Sequence, residues 1–393
     1  MRKAPAIALL IVILAAGLAF AAEITEIPFL PMSPEIMGRG GSFIADAHGY
    51  NAFFYNPAGF SRESGSFTLG DATMWVYSRP DALASLGRQF VSGNSTPFSI
   101  LSFLNNQVTT GGFGIGASFG IGYVGNGLGL GVVLIEDSML YGPTLLAMSG
   151  DLTFTLGFIG GLSVPFDVLG MKVHVGGDVR PMIRAHALLT NSVALDVITA
   201  LASGGSMLTA LNAADTVYGV GIGLDLGVIA ELGWFTFGLS VRDLGGTQFK
   251  YDLNSFGIVF DAITTQVQFP AGTAVTDDHY VIPMDIALGI GLHPDMGLLN
   301  DFFDPSFSVD LHNLVGALSG TTSFWALLHA GVELKLLSLF SLRAGYSGGF
   351  LTLGAGVKLL IFDMNFAVFT QELGANVGDR SSSGASLNVA IRW

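Results

Sequence analysis

The chain has 393 residues, of which 50% are hydrophobic and only 12% charged, with no cysteine and a formal net charge of −14. So low a charge content points toward lipid contact; length alone suggests two or three soluble domains but is met equally by one large closed sheet. The lack of cysteine excludes an acylated lipobox, a disulfide framework and a thiolate metal site, and the acidic balance argues against nucleic acid or anionic lipid head groups as partners.

The amino terminus carries Arg2 and Lys3, an apolar run from Ile7 to Ala16, and Ala19-Phe20-Ala21, the small-x-small pattern of a signal-peptidase site. A retained transmembrane anchor is the alternative. The run is short and no stop-transfer charge cluster follows it, so residues 1–21 are expected to be removed as a signal peptide. Loss of Arg2 and Lys3 takes the net charge from −14 to −16. Residues 22–64 hold Pro28, Pro31, Pro34 and Pro57 among many glycines and aromatics, too irregular for a wall and too aromatic for a flexible linker. This segment is expected to pack inside the rest of the chain.

Beyond it there is no clean run of about 18 apolar residues, the length of a bilayer-spanning helix. What recurs is alternation at period two, the pattern of a strand with lipid outside and water inside. From Met171 to Ala187 one face reads Met171, Val173, Val175, Gly177, Val179, Pro181, Ile183, Ala185 and Ala187. The other reads Lys172, His174, Gly176, Asp178, Arg180, Met182, Arg184 and His186. Tyr218 to Ala230 keeps the same phase, with glycines and Asp225 on the second face. A soluble sandwich can alternate too, but so long a stretch suits a tilted span that projects beyond the membrane.

Strands are expected near 66–78, 112–123, 126–138, 150–164, 171–187, 216–232, 234–244, 280–292, 305–314, 325–337, 339–347, 350–360, 362–372 and 384–393, which makes about 14. The fold class is therefore all-β: a transmembrane antiparallel β-barrel over 65–393, with excursions at 81–110, 192–215 and 246–279. Within the second, Val197, Ile198, Leu201, Leu208 and Leu211 fit an amphipathic helix, either packed on the rim or capping a pore. The terminal Leu387, Val389, Ile391 and Trp393 resemble the carboxy-terminal signal read by the barrel assembly machinery, an expected partner together with outer-membrane lipid.

Residues 37–60, MGRGGSFIADAHGYNAFFYNPAGF, resemble the amino-terminal signature of the FadL-like superfamily of outer-membrane long-chain fatty-acid transporters; the core is Tyr55-Asn56-Pro57-Ala58-Gly59. GLSVRDLG at 238–245 and HAGVELKLLSLFSLRAGY at 329–346 resemble barrel repeats of shorter spirochaete and PorV-type members. The resemblance implies a bacterial outer-membrane barrel of 14 strands with an inward-folded hatch at 22–64, centred on Asn56, Pro57 and Ala58. It also implies a hydrophobic ligand of the fatty-acid class that enters from outside and leaves by a lateral exit when the hatch rearranges. Asn-Pro is otherwise an ordinary turn. Phe53, Phe54, Tyr55 and Phe60 either line a greasy ligand site or pack the plug. Arg180 and Arg184 either meet a passing carboxylate or belong to a solvated inner wall.

Other chemistry is weak. Gly345-Tyr346-Ser347-Gly348-Gly349 matches a nucleophile elbow, yet it joins two alternating strands where a helix is required, and a hairpin is expected. Gly120-Ile121-Gly122-Tyr123-Val124-Gly125 matches a dinucleotide fingerprint and is likewise followed by a strand. The seven histidines show no metal-ligand spacing. No cofactor, metal or enzymatic activity is expected. The rival to transport is a surface barrel whose loops serve protein docking, secretion or adhesion.

Overall fold

The computed structural model describes residues 24–92, 97–144, 147–203, 205–266, 268–276 and 279–393. The expected signal peptide, 1–21, lies outside the described residues. Eighteen strands form one sheet: β1 (Ile24–Thr25), β2 (Ser66–Tyr77), β3 (Phe113–Gly125), β4 (Leu128–Tyr141), β5 (Ser149–Val168), β6 (Met171–Leu189), β7 (Asp215–Leu232), β8 (Phe235–Arg242), β9 (Thr247–Ser255), β10 (Thr273–Ala274), β11 (Tyr280–Ile282), β12 (Asp285–Leu292), β13 (Phe303–Leu311), β14 (Leu328–Leu336), β15 (Phe340–Ser347), β16 (Phe350–Leu359), β17 (Phe362–Glu372) and β18 (Ser381–Arg392). From β2 to β8 and from β12 to β18 neighbours in sequence pair antiparallel, and β18 pairs with β2, so the sheet closes on itself.

Two staves of the barrel are broken. β8 and β9 lie end to end along β7, β8 against 226–232 and β9 against 215–221. Opposite them, β12 pairs with β8 and β11 with β9. Counting each broken stave once, the barrel has 14 strands. The alternation predicted the 234–244 and 280–292 staves. The extension Thr247–Ser255, inside the stretch read as excursion, is strand as well. The break at 243–246 is made by left-handed backbone at Asp243, Gly245 and Gly246.

The barrel has two unlike ends. Five pairs of neighbouring strands are joined at one end by links of two or three residues: 126–127, 169–170, 233–234, 337–339 and 360–361. The other end carries helical excursions at Pro80–Val91, Pro97–Thr110, Asn191–Ser203, Met207–Leu211 and Phe256–Asp261. Val193 and Leu211 pack on Leu152, Ala187 and Leu189 of the wall, which puts the helical excursion on the rim. Among the described residues no helix is long and apolar enough to cross a membrane. The outer face of the wall is instead a belt of exposed Phe, Leu, Ile and Val, as alternation requires of a barrel that crosses with its strands.

Candidate functional site

Residues 24–64 fold into the barrel and pack along the inner face of its wall. Phe43, Phe53, Phe54 and Phe60 are wholly buried, with Tyr50–Phe53, Tyr50–Phe54 and Phe53–Phe60 meeting edge to face at centroid distances of 5.5–5.7 Å. This corrects the expectation of water against the inner face. His174, Arg180 and Arg184 on that face are buried, not solvated, because the amino-terminal segment lies on them.

The inner glycines are explained by that contact. A Cβ on Gly176 would stand 2.4 Å from the Pro57 carbonyl oxygen, and Cβ atoms on Gly227, Gly238 and Gly345 would collide with Asn56, Ile44 and Gly40. Glycine on this face is therefore what lets the plug backbone touch the wall. Sequence reading takes the same residues for the mark of an inner wall, but not for a surface cut to fit a second segment.

Asn56, at the centre of the expected signature, is fully buried. Its side chain caps the short helix Pro57–Ser61 by accepting from Ala58 N at 3.1 Å. Its amide nitrogen donates to Ile44 O at 3.0 Å and lies 3.3–3.4 Å from the carbonyls of Leu239 and Val228 in the wall. Pro57 starts the helix, where its missing N–H is not needed. Ala58 is completed from the wall by Ser163, which donates to its carbonyl at 3.0 Å. Ser240 and Arg242 likewise donate to the carbonyls of Tyr55 and Phe54, at 2.6 and 3.0 Å.

Charged clasps tie the plug to the wall elsewhere. Arg39 donates to Asp46 at 2.7 Å and lies 3.7 Å from Glu333 of β14; Arg62 donates to Glu231 of β7 at 2.9 Å. Asp310 of β13 accepts from Phe43 N and Ile44 N. Burial drives the carboxyl of Asp46 up, but Arg39, His48 and Arg62 together hold it well below the usual range. For Glu35 burial is again opposed, by Arg343, Arg392, His48 and Lys335, and its pKa falls to about 2. These clasps were not read from the sequence. Their signal was present as charges on the inner face, at Glu231, Asp310 and Glu333, but one sequence does not say which plug residue each one meets.

Arg180 and Arg184 face the plug side of β6 and are both engaged. Arg180 makes a bidentate contact with Asp225 at 2.9 and 3.1 Å and reaches Asp243 at 3.0 Å, so it pins the break in the wall. Arg184 holds Glu26 at 3.0 Å and the Ile27 carbonyl at 2.9 Å, and its guanidinium lies 4.8 Å from the Phe249 ring centre. Asp178 stands opposite Asp225 in register, buried, and neither of its oxygens has a hydrogen-bond partner.

The start of the described chain completes the wall. β12 and β13 pair only from Leu288 and Leu311 onward, so the edge of β11 is left open toward the excursion end. Ile24–Thr25 lies parallel on that edge, with Ile24 N donating to His279 O at 2.8 Å and Glu26 N to Val281 O at 2.9 Å. A seam in the barrel is thus closed by the plug's own first residues.

Ser347 ends β15, and Gly348-Gly349 turns into β16, so the serine motif is a hairpin. Ser347 Oγ lies 3.4 Å from His329 Nδ1, but that nitrogen donates to Gly40 O at 2.6 Å and cannot take a proton from the serine. The glycine motif at 120–125 likewise runs from β3 into β4.

No family model and no curated protein matches the chain. Solved structures do. The CymD monoaromatic hydrocarbon channel superposes with a TM-score of 0.51 at 13% identity, over 93% of this chain and 98% of that one. The toluene transporter TodX of Pseudomonas putida gives 0.47 at 12% identity over 94% and 99%, and a FadL homologue of Pseudomonas aeruginosa 0.47 at 13% over 95% and 99%. At such identities what is shared is the architecture. The chain shares the fold of that CymD channel, a closed 14-stranded antiparallel barrel.

Proposed function

We propose that this protein carries hydrophobic small molecules across a bacterial outer membrane, and that residues 22–64 act as the hatch of the passage. The observation that carries the reading is the amino-terminal segment itself: it lies against the inner wall of the barrel and is held there by discrete polar clasps, among them Glu26–Arg184 and Arg62–Glu231. Likeness of fold to a monoaromatic hydrocarbon channel supports the class of cargo. Long-chain fatty acids are the specific cargo proposed. The lateral exit is assigned to the stretch where both staves break, at 243–246 and 283–284, beside the seam closed by Ile24–Thr25.

In this reading Asn56, Pro57 and Ala58 are the hinge-side anchor of the hatch. Phe53, Phe54, Tyr55 and Phe60 pack it, and become ligand-lining only if the hatch moves. Arg180 and Arg184 hold the exit and the seam shut. The test is uptake by proteoliposomes of a labelled long-chain fatty acid and of a labelled monoaromatic hydrocarbon. Saturable uptake of the fatty acid over empty liposomes supports the full reading, and uptake of the aromatic alone keeps transport but changes the cargo. No uptake of either by a folded barrel moves the function to the helical excursions as a docking surface.

A further inference from the structure

Over β5–β7 the belt of exposed apolar residues is not centred on the barrel. A hydrophobic band about 25 Å tall, crossed by strands tilted near 40° at 3.3 Å per residue, takes up about ten residues of each strand. On β5 the exposed apolar face runs from Phe158 to Val168, and the next residue, Leu169, is the apex of the link to β6. Toward the excursion end the outward residues Ala185, Ala187 and Tyr218 are buried under the chain's own segments. The band therefore ends at the turn apices, with no length of strand left to stand clear below it.

The apices agree with that placement. Leu169, Leu337 and Leu360 all have left-handed backbone, where asparagine or glycine is preferred, and Leu169 and Leu360 are 94% and 95% exposed. The link at 126–127, whose Asn126 bonds to Ser64 O of the plug, makes the same bend with Asn-Gly. Leu298, 83% exposed, lies in the remaining long link at this end. A bulky apolar tip that continues the exposed belt is what a leaflet boundary favours, with the tip below the water interface.

We infer that the short-link end is a lipid-binding surface: its apices are sunk in the head-group region of the leaflet, continuous with the apolar belt. The partner is the phospholipid leaflet. The chain has no cysteine, so Leu169→Cys, Leu337→Cys and Leu360→Cys can each be made singly, with Ala375→Cys on the opposite rim as reference. Each variant is reconstituted in phosphatidylethanolamine–phosphatidylglycerol vesicles, checked for heat-modifiable gel mobility, and exposed to a charged thiosulfonate on both faces of the bilayer. Expected is reaction at 169, 337 and 360 several-fold slower than at 375, and the difference disappears after unfolding in denaturant. Equal rates in the folded, vesicle-borne protein overturn the inference and leave the tips in water or against a protein.

Discussion

Glu26 and Arg184 meet at 3.0 Å with both side chains buried, and this one pair fastens the first described turn of the plug to the sixth strand of the wall. His186 at 3.1 Å and Tyr251 at 3.1 Å approach the same carboxylate. Burial alone would push the Glu26 pKa up, but the hydrogen bond and charge of His186, with Arg184 and Tyr251, bring it below the ordinary value. Breaking one side of such a pair leaves a buried charge and is expected to cost about 3–5 kcal/mol locally. In Glu26→Gln, amide exchange over 24–30 should rise by orders of magnitude while exchange in β14–β18 is unchanged. Glu26→Gln with Arg184→Met should lose less than the two changes summed.

The inner glycines give a steric test. Gly176→Ala and Gly227→Ala place a methyl against Pro57 and Asn56, whereas Gly160→Ala points outward and meets only Leu130 Cδ2 at 3.9 Å. The first two should unseat the plug and raise single-channel conductance in planar bilayers, with the barrel still folded by gel mobility. The third should behave as wild type in both assays.

Asp178 and Asp225 are neighbours in register with opposite expectations. Asp225 is the bidentate partner of Arg180, while Asp178 is buried without a hydrogen bond. Relief of an unpaired buried carboxylate is worth about 1–3 kcal/mol. Asp178→Asn should therefore raise the thermal unfolding temperature, and Asp225→Asn should lower it.

Acid should loosen the plug. Glu35 has its folded pKa depressed to about 2 from 4.5, and Asp46 is depressed as well. A depressed carboxylate contributes stability that is whole above its unfolded pKa and is lost as pH falls through the folded one. Protease resistance of the plug should thus be flat from pH 7 to 5 and decline between about 4.5 and 2. Seating that strengthens over that range would contradict the clasps.

Much of the wall is legible because lipid and plug impose opposite demands on alternate residues, and β6 shows it without a slip from Val173 to Arg184. The continuation Thr247–Ser255 escapes because Asp243, Gly245 and Gly246 break the phase and read as a loop. The seam at Ile24–Thr25 escapes for another reason. Two residues carry no period, and their pairing depends on where β13 leaves β12, a tertiary fact. The plug signature around Asn56 is visible as a motif, but its bonds to Val228 and Leu239 join residues far apart in sequence.

The most direct measurement is uptake of a labelled long-chain fatty acid into proteoliposomes by wild type, by Asn56→Ala and by a chain lacking residues 22–60, each shown to be folded. Asn56→Ala removes the Ala58 cap and the amide bonds to Ile44, Val228 and Leu239. The account predicts saturable uptake by wild type, an altered rate in Asn56→Ala, and loss of saturation with a rise in ion conductance when the segment is absent. Identical uptake and conductance in all three would contradict the claim that this segment governs the passage.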